Sequence, residues 1–306
     1  MILTLTGNLL AERTFDYAAW EPGRTQRARA ESFQVGGKGI NVAKMLHRLG
    51  APTTALCFAG GATGEECAAW LARQGWPTEI FRGARHTRAG LVVRAPGRTE
   101  TTFLGPDVAS APRALDACAG YLSAHRTPTD VLAFSGSFPG WDDPENSRLR
   151  AAIAAWALKA PLAADSHGPP LAWLVTQPVK LIKINRQEFD ELAPPAPAAD
   201  PADLAPRLRL ACARWPVPAW IVTDGPRPVW FAGPEVPPTA LTPPAVTEVS
   251  ATGSGDVLFA CVLHALFHEA ATLAEAVAFA LPRAAANSAS PGIADFDLNQ
   301  LPPGAA

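Results

Sequence analysis

The sequence predicts an α/β fold in which helices cover both faces of a mostly parallel sheet. Apolar runs that suit strands alternate with segments of helical period along the 306 residues, and this alternation is typical of parallel sheets built from strand–helix–strand units. One large α/β domain is as consistent with this length as two smaller ones.

The predicted helices repeat apolar residues with helical spacing, and the predicted strands are shorter apolar runs. In chain order the strands cover residues 1–7, 53–59, 130–135, 161–165, 179–184 and 219–223. The helices fall near residues 39–49, 64–74, 111–124, 145–159, 186–193, 202–213, 255–269 and 273–289.

Two regions break the alternation of strands and helices, residues 10–35 and 86–104. Short strands at 89–94 and 101–104 indicate that these regions form a small added sheet. Proline tracts at 194–206 and 234–244 predict stiff surface connections, because proline cannot continue a helix or a central strand.

Composition and charge exclude several classes of function. The formal net charge is −2, without a dense basic run, so we expect no nucleic-acid partner. The five cysteines are an odd number without a C-x-x-C pair, which predicts free, mostly buried thiols in a reducing compartment. Residues 1–6 suit a strand and not a signal peptide, and no apolar run has the length of a membrane span. We therefore expect a cytoplasmic protein with no membrane partner.

Residues 252–256, with the sequence TGSGD, combine flexible backbone, a carboxylate and the start of an apolar helix. Glycines bring backbone N–H groups close to a ligand, and a helix start supplies unpaired donors and partial positive charge, so this segment suits a phosphate. Asp and Ser are also favoured as helix caps without any ligand. The residues alone leave both interpretations open.

A second glycine-rich segment, GGKGINVA at residues 36–43, also opens a helix. It is not a Walker A loop, which requires G-x-x-x-x-G-K-[ST]. It is not the G-x-G-x-x-G of a dinucleotide fold either, because Val42 occupies the last glycine position. The two commonest phosphate-loop motifs are therefore excluded here.

The two glycine segments, GGKGINVAKMLHRLG and TGSGDVLFA, resemble the two signatures of the PfkB (ribokinase-like) carbohydrate kinases. Between them, NRQE at 185–188 is similar to the family's N-x-x-E element, and VTDG at 222–225 to its nucleotide-binding strand and turn. The resemblance covers nearly the whole chain. It implies one ribokinase-like domain over residues 1–306, with a β-sheet lid from residues 10–35 and 86–104 that closes over the sugar and can serve as a homodimer surface.

The resemblance also implies roles for residues at the phosphoryl-transfer site. Asp256 stands at the family's base position, and we expect its place at a helix N-terminus to keep it ionised. Residues Gly253, Ser254 and Gly255 would offer N–H groups to the transferred phosphoryl. ATP would bind with Mg²⁺, the ion held through water by Glu188. The implied nucleotide positions are Lys183, Asn185, Thr223, Gly225 and Asn287.

On the sugar side, the resemblance implies contacts from Gly37 and Asn41, with Lys38 as a cation for an anionic sugar. Arg88 matches a threonine–arginine element of phosphosugar kinases, and Ser137 lies in a matching S-G-S loop. Guanidinium suits phosphate because it offers several donors in a planar fork. Glu12 stands where the family's N-P-x-x-D motif has its Asp, one methylene shorter.

Two other positions depart from the family pattern. Gly90 replaces an Asn that often follows the threonine–arginine pair, and DSHG at 165–168 replaces the usual D-T-S-G. We expect His167 of this element to be a solvent-facing loop residue in preference to a sugar contact.

In motif wording the chain is most similar to 1-phosphofructokinases and tagatose-6-phosphate kinases. The resemblance therefore implies ATP-dependent phosphorylation of a ketohexose monophosphate to a bisphosphate. Two alternatives stay open, a kinase for an unphosphorylated sugar or nucleoside, and a non-catalytic sugar-phosphate sensor.

Overall fold

The computed structural model describes residues 1–83, 85–98, 100–194 and 203–303. Its strands, in chain order, are β1 (Ile2–Thr6), β2 (Leu10–Asp16), β3 (Ala30–Gly36), β4 (Thr53–Ala59), β5 (Thr78–Arg82), β6 (Arg88–Arg94), β7 (Thr101–Leu104), β8 (Val131–Ser135), β9 (Leu162–Asp165), β10 (Leu181–Asn185), β11 (Ala219–Thr223), β12 (Val229–Gly233) and β13 (Val236–Leu241). Its helices are α1 (Lys38–Arg48), α2 (Gly61–Gln74), α3 (Pro112–Ala124), α4 (Ser147–Ala157), α5 (Gly168–Leu174), α6 (Arg186–Leu192), α7 (Ala205–Arg214), α8 (Ser254–Phe267) and α9 (Leu273–Ser288).

The central sheet has the strand order β13-β12-β11-β10-β9-β8-β1-β4-β5 within the described residues. All pairs from β5 to β11 are parallel, and only β12 and β13 add antiparallel strands at one edge. The predicted mostly parallel sheet is confirmed. Because parallel strands end at the same edge, this topology gathers the loops after β1, β8, β9 and β10 on one side of the molecule.

Helices cover both faces of the sheet, as the alternating burial of strand residues requires. In β1, Leu3 and Leu5 pack into the core beneath α3 to α7, whereas Ile2 faces the core beneath α1, α8 and α9. Helix α8 is apolar almost all round and is buried between the sheet, α1 and α9. A helix enclosed in this way holds its N-terminus in a fixed position.

A separate sheet of order β3-β2-β6-β7 confirms the predicted small sheet. It consists of two antiparallel hairpins, β2–β3 and β6–β7, joined by the parallel pair β2–β6. Strand β2 begins four residues after the end of β1, and β6 follows β5 closely in the chain. The small sheet therefore stands beside the carboxyl edge of the central sheet.

Outside the small sheet, four elements were not predicted from the sequence: β5, α5, β12 and β13. Helix α5 is only seven residues long and begins with prolines in its first turn, where the missing N–H group is tolerated. The prediction of a connection at 234–244 is wrong for Val236–Leu241, which forms β13. This strand lies at the edge of the sheet, where proline is allowed. Of the other proline tract, residues 195–202 lie outside the described residues.

All five cysteines are free, and four of them are buried, as predicted. In the part of the chain that the structure describes, every helix is too short or too polar to traverse a bilayer.

Candidate active site

The centre of the site is Asp165, the last residue of β9, whose side chain is fully buried. Its Oδ1 accepts a hydrogen bond of 2.8 Å from Lys38 Nζ, and its Oδ2 one of 2.6 Å from Lys183 Nζ. Lys183 comes from the neighbouring strand β10, and Lys38 is the first residue of α1. One carboxylate thus joins two strands and a helix start at the carboxyl edge of the sheet.

Asp165 and Lys38 are each held in the charged form. Burial alone would raise the pKa of Asp165, but Lys183 and Lys38 outweigh burial and lower it below its usual range. Burial alone would lower the pKa of Lys38, yet Asp165, Asp256 and Glu188 hold it above its usual range. The result is an ionic cluster in which the buried carboxylate of Asp165 lies between two ammonium groups.

Asp256 lies in the first turn of α8 and is also buried. Its Oδ2 accepts a hydrogen bond of 2.7 Å from Asn41 Nδ2. Burial raises the pKa of Asp256 to about 6, although Lys38 and Asn41 act in the opposite direction. Desolvation is the largest effect on this pKa, so the place of Asp256 at a helix N-terminus does not hold the value at its usual level. A carboxylate with this pKa is ionised at neutral pH and well suited to accept a proton.

Glycine is required at two positions of the loop before Asp256. Gly253 has a φ of +77°, and a Cβ there would lie 2.4 Å from Ile293 Cγ2. A Cβ on Gly255 would lie 2.7 Å from Lys183 Nζ. The absence of side chains therefore lets the lysine approach the start of α8.

Asn287, predicted to contact nucleotide, supports this loop. Its Nδ2 donates to Thr252 O and to Ser254 Oγ, both at 3.0 Å, and its Oδ1 accepts from Ala294 N at 2.7 Å. The side chain is almost completely buried. These bonds fix the loop of residues 252–255 relative to α9 and the segment that follows it.

Glu188 and Asn185 form a capping box at the start of α6. Asn185 Oδ1 accepts from Glu188 N, and Glu188 Oε2 accepts from Asn185 N, each at 2.8 Å. The other carboxylate oxygen, Glu188 Oε1, lies 3.6 Å from Lys38 Nζ and 3.7 Å from His167 Nδ1. The same residue therefore caps a helix and presents an oxygen to the site.

His167 lies in the loop after β9, as the N-cap residue of α5, and its side chain is 44% exposed. Its Nδ1 also lies 3.7 Å from Glu188 Oε1, so the imidazole stands at the edge of the site.

Two of the predicted nucleotide residues lie further along the same edge. Thr223 ends β11 beside Asn185, its register partner in β10. Gly225 follows in a turn with a φ of +58° and is exposed. Neither Thr223 nor Gly225 is hydrogen-bonded to Asp165, Lys38 or Lys183 within the described residues. These two residues therefore form a separate surface beside the ion pairs of Asp165.

A second polar cluster includes Arg88 and Ser137, as the sequence suggested. Asn8 Nδ2 donates to Ser137 Oγ at 2.9 Å and to Asp107 Oδ1 at 2.8 Å, and Arg88 Nη1 donates to the same Asp107 oxygen at 3.0 Å. Arg88 Nε is buried without a hydrogen-bond partner among the described residues. A cleft lined in part by Asn8, Thr87 and Arg88 opens at this cluster.

Glu12 lies on β2 and is buried, with a hydrogen bond from Gln34 Nε2 of the neighbouring strand. Burial raises the pKa of Glu12, and the bond from Gln34 opposes that shift. Its register partner in β6 is Gly90. The two departures from the family pattern in the small sheet are thus adjacent, one adding a methylene and the other removing a side chain.

The structure brings together three separate segments of the sequence, which contribute Lys38 and Asn41, Lys183 and Glu188, and Asp256. Gly37, at the N-cap of α1, adjoins this group. Sequence reasoning did not assign roles to Asp165, Asn8 and Asp107. The available signals were the position of Asp165 at the end of a buried strand and the segment FLGPD at residues 103–107, which also resembles the 1-phosphofructokinase and tagatose-6-phosphate kinase pattern.

Comparisons with known proteins agree with this geometry. The chain matches the model of the pfkB family carbohydrate kinases over residues 6–298. It is 28% identical over 290 residues to a 1-phosphofructokinase of Xanthomonas campestris pv. campestris, over 92% of this chain and 90% of that protein. It is 28% identical over 264 residues to an ATP-dependent 6-phosphofructokinase isozyme 2 of Mycobacterium tuberculosis, over 85% and 76% of the two chains. The solved structure of phosphofructokinase-2 from Escherichia coli in complex with fructose-6-phosphate has a TM-score of 0.84 and 25% identity, over 94% of this chain and 93% of that chain.

We predict that Asp165→Asn strongly destabilises the fold, because it leaves two lysine ammonium groups without their shared carboxylate. Breaking a buried ion pair typically costs about 3–5 kcal/mol, and urea unfolding at neutral pH measures that loss. Asp142→Asn, at an exposed aspartate, is the matched control and should leave the free energy of unfolding nearly unchanged. Equal stability of the two variants would contradict the role given to Asp165.

Proposed function

The chain belongs to the pfkB family of carbohydrate kinases, which transfer phosphate from ATP to a sugar hydroxyl, and we propose that its acceptor is a ketohexose monophosphate. Fructose 1-phosphate, fructose 6-phosphate and tagatose 6-phosphate are the candidates, and the product is a bisphosphate. The observation that carries this proposal is the cluster of Arg88, Ser137, Asn8 and Asp107, in which Arg88 Nε is buried without a hydrogen-bond partner among the described residues and can donate to a phosphate.

In the proposed reaction Asp256 is the general base. Its carboxylate takes the proton of the attacking sugar hydroxyl while the new oxygen–phosphorus bond forms and the bond to the ADP oxygen breaks. Asn41 donates to the same carboxylate and holds its orientation. A sensor that only binds sugar phosphate has no need of a buried carboxylate with a pKa of about 6, so this site favours catalysis.

The start of α8 and Lys183 are proposed to stabilise the charge on the transferred phosphoryl group. The first N–H groups of a helix have no intrahelical partners, and together with the helix dipole they favour an anion. Lys183 Nζ stands close to Gly255, within the same area. Ser254 helps to fix the loop of residues 252–255, because its N–H donates to Ala251 O at 3.3 Å and its Oγ accepts from Asn287 Nδ2.

We propose that Mg²⁺ binds with ATP through Glu188. Both oxygens of Asp165 accept hydrogen bonds from lysines, whereas Glu188 Oε1 lies beyond hydrogen-bond distance of Lys38 and His167. A single available carboxylate oxygen fits an ion that keeps several of its waters. When bound, Mg²⁺ neutralises charge on the phosphates of ATP.

The remaining nucleotide contacts are proposed along the edge formed by β10 and β11. Asn185, Thr223 and Gly225 lie there in neighbouring positions, next to Lys183. For Asn287 we propose a positioning role in place of direct contact with the nucleotide, because its amide already binds the loop of residues 252–255.

For Lys38 we propose a role in the ion pairs around Asp165 in place of contact with the sugar phosphate. Its ammonium group donates to Asp165 Oδ1 and lies 3.6 Å from Glu188 Oε1. We therefore assign the phosphate of the sugar to Arg88 and Ser137. Glu12 lies within the small sheet and Gly37 connects that sheet to α1, and both are proposed to contact sugar hydroxyls.

A homodimer through the small sheet is a further part of the proposal. Phe103 and Leu104 of β7 are 53% and 55% exposed, and β7 is an edge strand of that sheet. Exposed apolar residues on a sheet edge suit contact with a second copy. A cytoplasmic location is proposed from the free cysteines.

We predict that Asp256→Asn lowers kcat by about 10²- to 10⁴-fold, because the positioned base is lost. Calorimetric titration with a non-hydrolysable ATP analogue and with sugar phosphate should give nearly wild-type affinities. A variant that kept more than about a tenth of wild-type kcat would exclude Asp256 as the base, since loss of a base costs at least about a hundredfold.

We predict that kcat falls as pH drops through about 6, because Asp256 acts as a carboxylate and is protonated below its pKa. Asn41 stabilises the ionised form, so Asn41→Ala should raise this pKa and move the acid limb of the profile to higher pH. The sugar phosphate titrates identically with both proteins, so the difference between their profiles isolates Asp256. Superimposable acid limbs would contradict the assignment.

We predict that Arg88→Ala weakens binding of the phosphosugar by about 1.5–3 kcal/mol, the scale of a hydrogen bond to a charged group. The KM for the sugar phosphate should rise, while the KM for ATP should stay unchanged. Arg148→Ala, at an exposed arginine of α4, is the control and should change neither value. A rise in KM for ATP alone would place Arg88 on the nucleotide side.

A further inference from the structure

A second cluster of side chains with metal-ligand chemistry lies at the opposite end of α8 from Asp256. His264 and His268 are four residues apart and therefore lie on one face of the helix. Their ring centroids are 5.2 Å apart. Glu269 follows directly, and its backbone N–H donates to His264 O at 3.1 Å, which folds the residue back over the last turn.

The three side chains converge on a small common space. Glu269 Oε1 lies 3.7 Å from His264 Nε2 and 3.6 Å from His268 Nε2, and the three donor atoms lie within 4.8 Å of one another. Neither imidazole is within hydrogen-bond distance of the carboxylate. Two ligand atoms that each lie about 2.0–2.1 Å from a tetrahedral ion are about 3.3 Å apart. A small inward movement of the three side chains would therefore place all three donor atoms at ligand distance from one ion.

The surroundings hold this arrangement in place and leave it accessible. His264 is buried, and its ring stacks on Phe279 of α9 with centroids 5.8 Å apart. His268 and Glu269 are 42% and 59% exposed. Ala270, next along the chain, has a φ of +55°, one of two positive values at non-glycine positions within the described residues. This left-handed residue turns the chain so that Glu269 stays beside the helix end, where the dipole favours a cation.

We propose that His264, His268 and Glu269 bind one divalent first-row transition-metal ion, of which Zn²⁺ is the first candidate. Two imidazoles and one carboxylate suit Zn²⁺, Co²⁺ or Ni²⁺, whereas Mg²⁺ prefers oxygen ligands. The exposed side of the cluster leaves the fourth position to water. The ion would connect the end of α8 to the turn that leads into α9, independently of the Mg²⁺ proposed for catalysis.

Calorimetric titration of untagged, chelator-treated protein with Zn²⁺ alone tests this site. We expect one ion per chain, unaffected by excess Mg²⁺, and a rise in Tm when the ion binds. His268→Ala and Glu269→Gln each remove an exposed ligand without disturbing the core. Loss of a residue that only hydrogen-bonds to a metal ligand typically weakens metal binding by about 10- to 100-fold. Loss of a ligand itself should weaken Zn²⁺ binding by more than this, and each variant should abolish the rise in Tm.

Two surface substitutions serve as matched controls, His125→Ala and Glu235→Gln, both at exposed positions outside the cluster. They should leave Zn²⁺ affinity and stoichiometry at the wild-type values. A wild-type protein with no saturable Zn²⁺ binding in the micromolar range would overturn the proposal. So would one-to-one binding that persists unchanged in both His268→Ala and Glu269→Gln, because the ion would then be bound elsewhere.

Discussion

The buried carboxylate of Asp165 is the group on which the site depends. An isolated charge in this position would be very costly, and it is stable only because Lys38 and Lys183 each bind one of its oxygens. These bonds connect the ends of β9 and β10 to the start of α1. The same ion pairs therefore hold the backbone of the site in register and place two ammonium groups where phosphates are proposed to bind.

That network also determines the chemistry of Asp256. The buried carboxylate of Asp256 stands near the two lysines and near Asp165, and these groups act on its pKa in opposite directions. Desolvation is the largest effect and raises the pKa of Asp256 toward neutrality. A base so placed is ionised at neutral pH and still has a useful affinity for a proton. Enclosure of α8 among the sheet, α1 and α9 supplies this desolvation, so the packing of the core and the reactivity of the base are linked.

Much of the fold was predictable because periodicity reports the burial of each element. The parallel strands are continuous apolar runs, and TGSGD and GGKGINVA mark the helix starts of the site. The hairpin β12–β13 was not predictable, because Pro237 and Pro238 oppose a strand and are tolerated only at a sheet edge. Partnerships between distant residues were not predictable either. Nothing local indicates that Asp165 binds Lys38, 127 positions away, or that Asn287 supports the loop at residue 252.

Initial rates with ATP and Mg²⁺ show whether this chain phosphorylates a sugar that already carries a phosphate. The acceptors are fructose 1-phosphate, fructose 6-phosphate and tagatose 6-phosphate, compared with fructose, ribose and adenosine. We expect the highest kcat/KM for one of the ketohexose monophosphates, with a bisphosphate as product. Faster turnover of ribose or adenosine than of every sugar phosphate would contradict the claim, and so would tight binding of a sugar phosphate without any turnover.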